Sequence, residues 1–306
     1  MTTPRELGLP DEMLRRAHSI AEGSGEWTPP VPRHAATVVL LRDTDDGVEV
    51  FLMRRVSTMA FAAGMHVFPG GVVDPDDSTV TLQLGRNDTT ESLDQRLTAP
   101  PGLGSALVAA AARETFEECG VLLVSPIGDT VNLEMALDDE RWEPRRRALL
   151  EGDRAFSELL AGDGLAVDAS SIRPWTHWIT PEVENRRYNT RFFVAAIPEG
   201  QRARDLGGEA DRVHWTTPAS ALKRHEAGEL AMMLPTVDTL TALLPFSSAH
   251  EVIAAADERV VRPLMPQATF DDHGSITWGL VDQSTGDVVL ELDTPTPGTM
   301  SRKESP

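Results

Sequence analysis

The chain has 306 residues, of which 41% are hydrophobic and 25% are charged, and its formal net charge is −20. This length can bury a full core in one elaborated domain or in two, and the composition is ordinary for a soluble globular protein. Proteins bind nucleic-acid backbones mainly through lysine and arginine, so the acidic balance excludes nucleic acid as an expected partner.

The first third of the chain is predicted to hold one helix, a β-hairpin and an irregular stretch. Residues 10–21 have the pattern of a short helix, which a proline-rich link follows. The apolar runs AATVVLLRD and VEVFLMRR, separated by the turn residues DTDDG, predict a hairpin. FPGG is a glycine turn, and residues 78–104, rich in Thr, Asp, Gly and Pro, are predicted to be irregular.

A helix is predicted from Ser105, as its N-cap, to Gly120, as its C-terminal glycine. One stripe of this helix is mostly apolar and consists of Val108, Ala112, Thr115, Phe116 and Cys119. A different face carries Glu114, Glu117 and Glu118. The helix therefore presents packing residues on one side and three carboxylates on another.

The remaining elements mix helices with strands. A helical hairpin is predicted at 137–161, and helices at 217–227 and 235–255. Strands are predicted at THWIT, NTRFFVAAIP and DRVHWTT, and a late hairpin at SITWGLVDQSTGDVVLEL. Residues 293–306 are predicted to be disordered. The class is therefore α/β or α+β.

The three glutamates stand within five residues of a chain that is already acidic. Carboxylates at helical spacings of three and four residues repel each other. Either the face is solvated, with Arg113 and Glu117 as a weak pair, or the face binds cations. Clustered carboxylates suit Mg²⁺ or Mn²⁺, which bind phosphates, polarise a phosphoryl oxygen and make a bound water nucleophilic.

These residues resemble the Nudix hydrolases, whose pattern is G-x5-E-x7-R-E-U-x-E-E-x-G-U, with U an aliphatic residue. Gly71 opens the pattern, and RETFEECGV, residues 113–121, closes it, with Thr115 in the place of an aliphatic residue. Asp77, or Asp76, stands where the first glutamate belongs. The family has seven residues between this acid and the arginine, whereas 35 residues stand between Asp77 and Arg113.

The long interruption is similar to one Nudix branch, that of the peroxisomal coenzyme A and acyl-coenzyme A diphosphatase of animals. The likeness continues through WTHWITPEVENRRYNTRFFVAAIP and LMPQATFDDHGSITWGL, and it covers most of residues 33–280. The resemblance implies an α/β fold, the Nudix α/β/α sandwich with a mixed sheet, helical insertions and a C-terminal extension. It also implies hydrolysis of a diphosphate, with coenzyme A or acyl-coenzyme A giving 3′,5′-ADP and (acyl-)phosphopantetheine.

Two alternatives stay open for the function. Bacterial coenzyme A diphosphatases have LLTxR-[SA]-x3-R-x3-G-x3-FPGG; this chain keeps Arg55, Gly64 and FPGG but has Val56 and Ala60 at two other positions. The substrate could therefore be a nucleotide sugar or a dinucleotide instead. A non-catalytic Nudix-fold ligand sensor is the alternative from another class, although all three glutamates of the pattern are present.

The resemblance implies roles residue by residue. The metal ligands would be Gly70, through its main-chain carbonyl, and Glu114, Glu117 and Glu118. Glu114 and Glu118 would also be the catalytic residues, and the cofactor would be Mg²⁺ or Mn²⁺. The substrate-binding residues would be Arg54, Arg55, Gly71 and Glu209. The two arginines suit phosphates because the guanidinium group donates two parallel hydrogen bonds.

The sequence also predicts how the chain is divided into an N-terminal segment, a Nudix domain and a C-terminal extension. Residues 1–32 would form an N-terminal helix and linker, and residues 33–228 the Nudix domain, with insertions at about 78–104 and 125–170. Residues 229–292 would pack on the same domain as C-terminal helices and a hairpin.

The expected partner is a small-molecule diphosphate, and the sequence leaves a homodimer open. A single cysteine, Cys119, excludes an intrachain disulfide framework and a multi-cysteine zinc site. No apolar run reaches the 18 residues of a membrane span, and the first residues carry charges where a signal peptide would need an apolar segment. We therefore expect a cytoplasmic protein with no membrane partner.

Overall fold

The computed structural model of the chain describes residues 11–56, 64–86, 88–128, 139–204, 210–270 and 276–292. Glu209 and the segment 293–306 lie outside these ranges, as do residues 137–138 of the predicted helical hairpin. The predicted role of Glu209 and the predicted disorder of the C-terminal segment therefore stay predictions.

The predicted N-terminal helix and first hairpin are present. Helix α1 spans Asp11–Glu22, and strands β1, Arg33–Thr44, and β2, Gly47–Arg55, pair antiparallel. Two short strands follow: β3, His66–Val67, pairs with β2, and β4, Gly70–Val72, pairs with β1. The glycine turn FPGG thus leads directly into a strand that lies against β1.

The first insertion is more regular than the sequence predicted. A 3₁₀ turn spans Pro75–Thr79, strand β5 spans Leu82–Gln83, and helix α2 spans Thr90–Arg96. The expectation that residues 78–104 are irregular was therefore wrong.

Helix α2 forms for reasons that hydrophobic periodicity does not reveal. The Thr89 hydroxyl accepts a hydrogen bond from the Ser92 N–H, and the Ser92 hydroxyl accepts one from the Thr89 N–H, which caps the first turn. Leu93 and Leu97 are buried and attach the helix to the core. Two apolar positions are too few to establish a helical period in a sequence window.

Helix α3 spans Leu103–Cys119 and begins before the predicted N-cap Ser105. Its first amides are capped from α2, where the Asp94 carboxylate accepts hydrogen bonds from the Gly102 N–H at 2.7 Å and the Gly104 N–H at 2.6 Å. The prediction of Ser105 as the cap was wrong, because a carboxylate supplied by a different element leaves no signal in the local sequence.

The rest of α3 follows the prediction. Gly120 ends the helix in the left-handed conformation, with a φ of 75°. The predicted apolar stripe is buried throughout: Val108, Ala112, Thr115, Phe116 and Cys119. The three glutamates lie on a partly exposed face, as their positions in the sequence indicated.

The second insertion contains the predicted helical hairpin. Helix α4 spans Asp139–Leu150 and helix α5 spans Phe156–Gly162. A small sheet, which was not predicted, joins the two insertions. Strand β7, Leu165–Asp168, lies parallel to β5 and antiparallel to β6, Val124–Pro126.

The remaining strands complete one large sheet. They are β8, Arg173–Ile179, β9, Tyr188–Ala196, β10, Ala210–Thr216, β11, Pro263–Phe270, β12, Ile276–Asp282, and β13, Val288–Leu292. The strand order is β10-β2-β1-β9-β8-β11-β12-β13, with β3 beside β2 and β4 beside β1. The pairs β1–β9 and β8–β11 are parallel and the adjacent pairs β1–β2 and β8–β9 antiparallel, which confirms the predicted mixed sheet. Strand β11 was not predicted.

Helices cover both faces of this sheet. Helices α3, α4 and α5 share one core with β1 and β2, and helix α1 shares the other core with α7, Leu234–Leu243, and α8, Ala249–Glu258. Helix α6 spans Pro218–Glu226. The predicted α/β/α sandwich is confirmed. None of the helices in the described ranges has the length and apolarity that a bilayer crossing requires.

Candidate active site

Arg113 joins the two halves of the interrupted pattern. Its Nε donates to Asp77 Oδ1 at 2.8 Å and its Nη2 donates to Asp77 Oδ2 at 3.0 Å, so the pair is bidentate. The same Nη2 donates to the Val72 carbonyl at 2.9 Å. Asp77 is 2% exposed and Arg113 is 9% exposed, whereas Asp76 is exposed to solvent. Asp77 therefore fills the first acidic position, although 35 residues separate it from Arg113.

The same guanidinium group holds two of the three glutamates. Arg113 Nη1 donates to Glu114 Oε1 at 2.8 Å and to Glu117 Oε1 at 3.2 Å. Burial by itself would lower the pKa of Arg113, but its hydrogen bonds to Asp77 and the charges of the glutamates outweigh burial and raise the pKa. The guanidinium group of Arg113 therefore stays protonated between these carboxylates.

Gly71 is required for the position of Glu114. A Cβ atom at Gly71 would overlap the carboxylate of Glu114, so only glycine lets that side chain lie against the backbone of β4. Burial raises the pKa of Glu114 to about 7, partly offset by the Arg113 charge. The structure thus places Gly71 in contact with Glu114, and contact between Gly71 and a substrate stays a prediction.

Gly70 brings Glu118 into the same cluster. The Gly70 N–H donates to Glu118 Oε2 at 2.7 Å. A Cβ atom at Gly70 would collide with the Ala36 carbonyl and with the backbone of Thr37, both in β1. The two glycines therefore let one short strand lie against β1 on one side and against the carboxylates of α3 on the other.

Comparison with known proteins identifies the family. The family model described as the NUDT19 Nudix domain matches residues 93–243. The crystal structure of a NUDIX hydrolase from Alicyclobacillus acidocaldarius superposes with a TM-score of 0.58 and 29% identity, over 73% of this chain and 96% of that chain. The chain is similar to the Nudix hydrolases in both sequence and fold. The prediction of a Nudix hydrolase is confirmed at the level of family and fold.

Individual relatives narrow the likeness to one Nudix branch. Acyl-coenzyme A diphosphatase NUDT19 of Gallus gallus is 27% identical over 247 residues, which cover 70% of this chain and 65% of that protein. The Homo sapiens protein of the same name is 26% identical over 273 residues, which cover 78% of this chain and 70% of that protein. The predicted resemblance to this branch is confirmed, and the chain spans slightly less than two thirds of the Gallus gallus relative.

The Nudix family implies a divalent metal, and the donor set fits one by its chemistry. Carboxylate and main-chain carbonyl oxygens are the ligands that Mg²⁺ and Mn²⁺ prefer. Among the described residues, however, no three histidine, cysteine, aspartate or glutamate side chains converge closely enough to hold an ion. In this arrangement Arg113 binds Glu114 and Glu117, and the Gly70 N–H binds Glu118. Metal binding by Gly70, Glu114, Glu117 and Glu118 stays a prediction.

The predicted phosphate-binding arginines stand at the end of β2 but on different faces of the sheet. Arg54 pairs with His66 in β3, and Arg55 pairs with Ala210 in β10. Successive side chains of a strand point to opposite faces, so Arg55 shares the face of Met53, which packs with the core of α3. Both arginines are half-buried. Substrate binding by either residue stays a prediction.

Sequence reasoning missed two residues that hold the end of α3 and the segment directly after it. Arg146 in α4 donates from Nη1 to the Glu117 carbonyl at 2.7 Å. The Gln201 amide accepts from the Leu122 N–H at 2.7 Å and donates to the Leu122 carbonyl at 2.8 Å. Neither residue has a local signal, because each contact joins segments that are far apart in the chain.

Proposed function

We propose that the chain is a Mg²⁺- or Mn²⁺-dependent diphosphatase, with coenzyme A or acyl-coenzyme A as its substrate. The observation that carries the proposal is the assembly around Arg113, which unites Asp77, Glu114 and Glu117 beside the Gly70–Glu118 contact. The substrate class is supported by the relatives named acyl-coenzyme A diphosphatase NUDT19.

The reaction would use the residues as follows. Glu117, Glu118 and the Gly70 carbonyl would hold the metal, and Glu114 would hold it or take the proton of the attacking water. Water would attack one phosphorus and the bridging P–O bond would break, so that coenzyme A yields 3′,5′-ADP and phosphopantetheine. A bound divalent ion would neutralise the diphosphate and polarise its oxygens. Catalysis would then consist mainly of positioning and charge neutralisation.

A substrate panel tests the proposal. The purified chain is incubated with Mg²⁺ or Mn²⁺ and with coenzyme A, acyl-coenzyme A, nucleotide sugars and dinucleotides, and the products are separated by chromatography. We expect 3′,5′-ADP from the first two substrates and no turnover when EDTA is present. Absence of turnover on every substrate, with ligand still bound, would favour a non-catalytic sensor instead.

A nucleotide sugar or a dinucleotide is the second candidate substrate class. It is favoured by Val56 and Ala60, which depart from the signature of the bacterial coenzyme A diphosphatases. Turnover of such a substrate, together with intact coenzyme A, would change the substrate but leave the reaction class unchanged.

Location and assembly are part of the proposal. The chain's single cysteine, Cys119, is a buried free thiol, which suits the reducing cytoplasm, and we propose that location. Cell fractionation tests it. Light scattering after gel filtration distinguishes a monomer from the homodimer that the sequence leaves open.

A further inference from the structure

The last turn of α3 carries charge of the unfavourable sign. Glu117 and Glu118 stand at the C-terminal end of the helix, where the helix dipole is negative, and the last turn contains no basic residue. Acidic groups are disfavoured at this end, and the final carbonyls of a helix have no partner within the helix. A positive donor from outside the helix therefore stabilises this turn.

Arg146 supplies that donor from the second insertion. It is 5% exposed, and its Nη1 reaches the Glu117 carbonyl at 2.7 Å. Its other nitrogens are fixed by Glu143, with Nε at 3.2 Å from Oε2 and Nη2 at 3.1 Å from Oε1. The guanidinium is therefore held in one orientation by its own helix while it binds the backbone of another.

Aromatic packing fixes α4 against the same turn. Trp142, one turn before Arg146, meets Phe116 of α3 edge to face, with ring centroids 5.6 Å apart. Phe116 also stacks on Phe156 of α5, at 6.1 Å between centroids. Phe116 is thus packed by both helices of the insertion, and Arg146 binds the carbonyl of the next residue, Glu117.

We propose that Arg146 is a positioning residue, which fixes the turn that carries Glu117 and Glu118 and so sets the affinity of the chain for divalent cations. The inference rests on the proposed function, because it concerns the same metal site. It adds a role for the second insertion, whose helix α4 orients the carboxylates without contributing a ligand.

Charge and positioning predict opposite effects, which makes the proposal testable. A guanidinium group near the carboxylates repels a divalent cation, so removal of its charge alone would strengthen cation binding. Loss of positioning would weaken it, because residues that orient metal ligands typically change the affinity about 10-fold or more. The direction of the change therefore distinguishes the two roles.

The experiment measures Mn²⁺ binding to the full chain, without substrate, by calorimetry. We expect the dissociation constant to rise about 10-fold in Arg146→Gln and to rise less in Arg146→Lys, which keeps a donor. Arg147→Gln is the matched control, because Arg147 is 69% exposed at its side chain and pairs with the same Glu143. That variant removes an equal charge and should stay within about twofold of the parent chain.

Four results would overturn the role of Arg146. Tighter Mn²⁺ binding by Arg146→Gln would mean that only its charge matters. Unchanged binding with a lower melting temperature in EDTA would mean that Arg146 only caps the helix. If Arg146→Gln does not fold, equal binding by Arg146→Lys and Arg147→Lys would also contradict the proposal. A parent chain that takes up no Mn²⁺ at millimolar concentration would overturn the metal-dependent function itself, and the role of Arg146 with it.

Discussion

Arg113 is a buried cation that forms ion pairs with three carboxylates. Of these three ion pairs, the one with Asp77 is the most deeply buried. Removal of one partner of a buried ion pair destabilises the fold, because the other partner stays buried as a charge without compensation. Asp77 stands directly before the first insertion, and Arg113 stands in the helix after it. One side-chain contact therefore closes the loop that interrupts the Nudix box.

The first prediction concerns Asp77. We expect Asp77→Asn to lower the free energy of unfolding by about 3 kcal/mol, because it leaves the buried Arg113 without its bidentate partner. The neighbouring Asp76→Asn is the control, since Asp76 is exposed, and it should change stability by less than about 0.5 kcal/mol. Urea unfolding of both variants measures the difference. Equal stabilities would contradict the assignment of Asp77 to the first acidic position.

The second prediction concerns Glu118. We expect Glu118→Gln to lower kcat/KM for the best substrate roughly 100-fold, because the amide cannot serve as an anionic metal ligand. Glu151→Gln, at an exposed position after α4, should retain the activity of the parent chain. Steady-state kinetics at saturating Mg²⁺ give the comparison. Comparable activity of the two variants would exclude Glu118 from the proposed metal site.

At the scale of elements, the first insertion acts on the box helix at its N-terminal end. The Asp94 carboxylate of α2 accepts from the amide of Gly102, directly before α3, and from the amide of Gly104 in its first turn. Arg191 of β9 donates to the Leu97 and Thr98 carbonyls that follow α2. The segment that leads into α3 is therefore fixed both to the helix and to the sheet. An insertion in the middle of the box can be long because its two ends are held.

The third prediction tests which residue caps α3. We expect Asp94→Ala to destabilise the chain by about 1 kcal/mol or more, because two helix amides lose their acceptor. Ser105→Ala should be neutral or slightly stabilising, because the Ser105 hydroxyl is buried and makes no hydrogen bond. Thermal unfolding compares the two variants directly. A larger loss of stability for Ser105→Ala than for Asp94→Ala would contradict capping by Asp94 and support Ser105 as the cap.

At the scale of the whole molecule, buried histidines connect stability to pH. His177 lies in β8 beside Asn189 and Arg191 of β9, and burial, assisted by the Arg191 charge, lowers the pKa of His177 to about 3. Burial also lowers the pKa of His66 to about 4. Between these pKa values and about pH 6.5, both imidazoles are therefore neutral in the folded chain, whereas the same side chains are protonated in the unfolded chain.

The fourth prediction follows from this difference. Above about pH 6.5 the contribution of His177 is complete, and as the pH falls towards 3 the free energy of unfolding falls by about 1.4 kcal/mol per pH unit for this proton. The raised pKa of Glu114 has the opposite effect, because it increases the free energy of unfolding as the pH falls. The contribution of His177 is therefore obtained by comparing the pH slope of a variant with that of the parent chain. Urea unfolding between pH 7 and 5 should give a shallower slope for His177→Gln than for the parent chain.

The exposed His250 provides the control for this measurement. His250→Gln should change the slope less than His177→Gln does, because solvent and salt weaken the interactions of an exposed side chain. A His177→Gln slope equal to that of the parent chain would mean that His177 binds its proton equally in the folded and unfolded states, which contradicts the prediction.

The sequence by itself determined the family, the box helix and the long hairpins. The spacing within RETFEECG identifies the residues of the box, and the apolar runs of β1 and β2 and the apolar stripe of α3 are local patterns that one window of sequence contains. The glycines of FPGG were also recognisable, because close approach of the backbone requires that residue type.

Only the tertiary structure decided how these parts are joined. It chose Asp77 over Asp76, replaced Ser105 by Asp94 as the cap of α3, and brought Arg146 to the Glu117 carbonyl. Each of these contacts joins residues of different elements, and their energies depend on burial and on distances through space. A local pattern contains neither quantity, which is why the sequence indicated the residues of the candidate site but not the contacts that hold them.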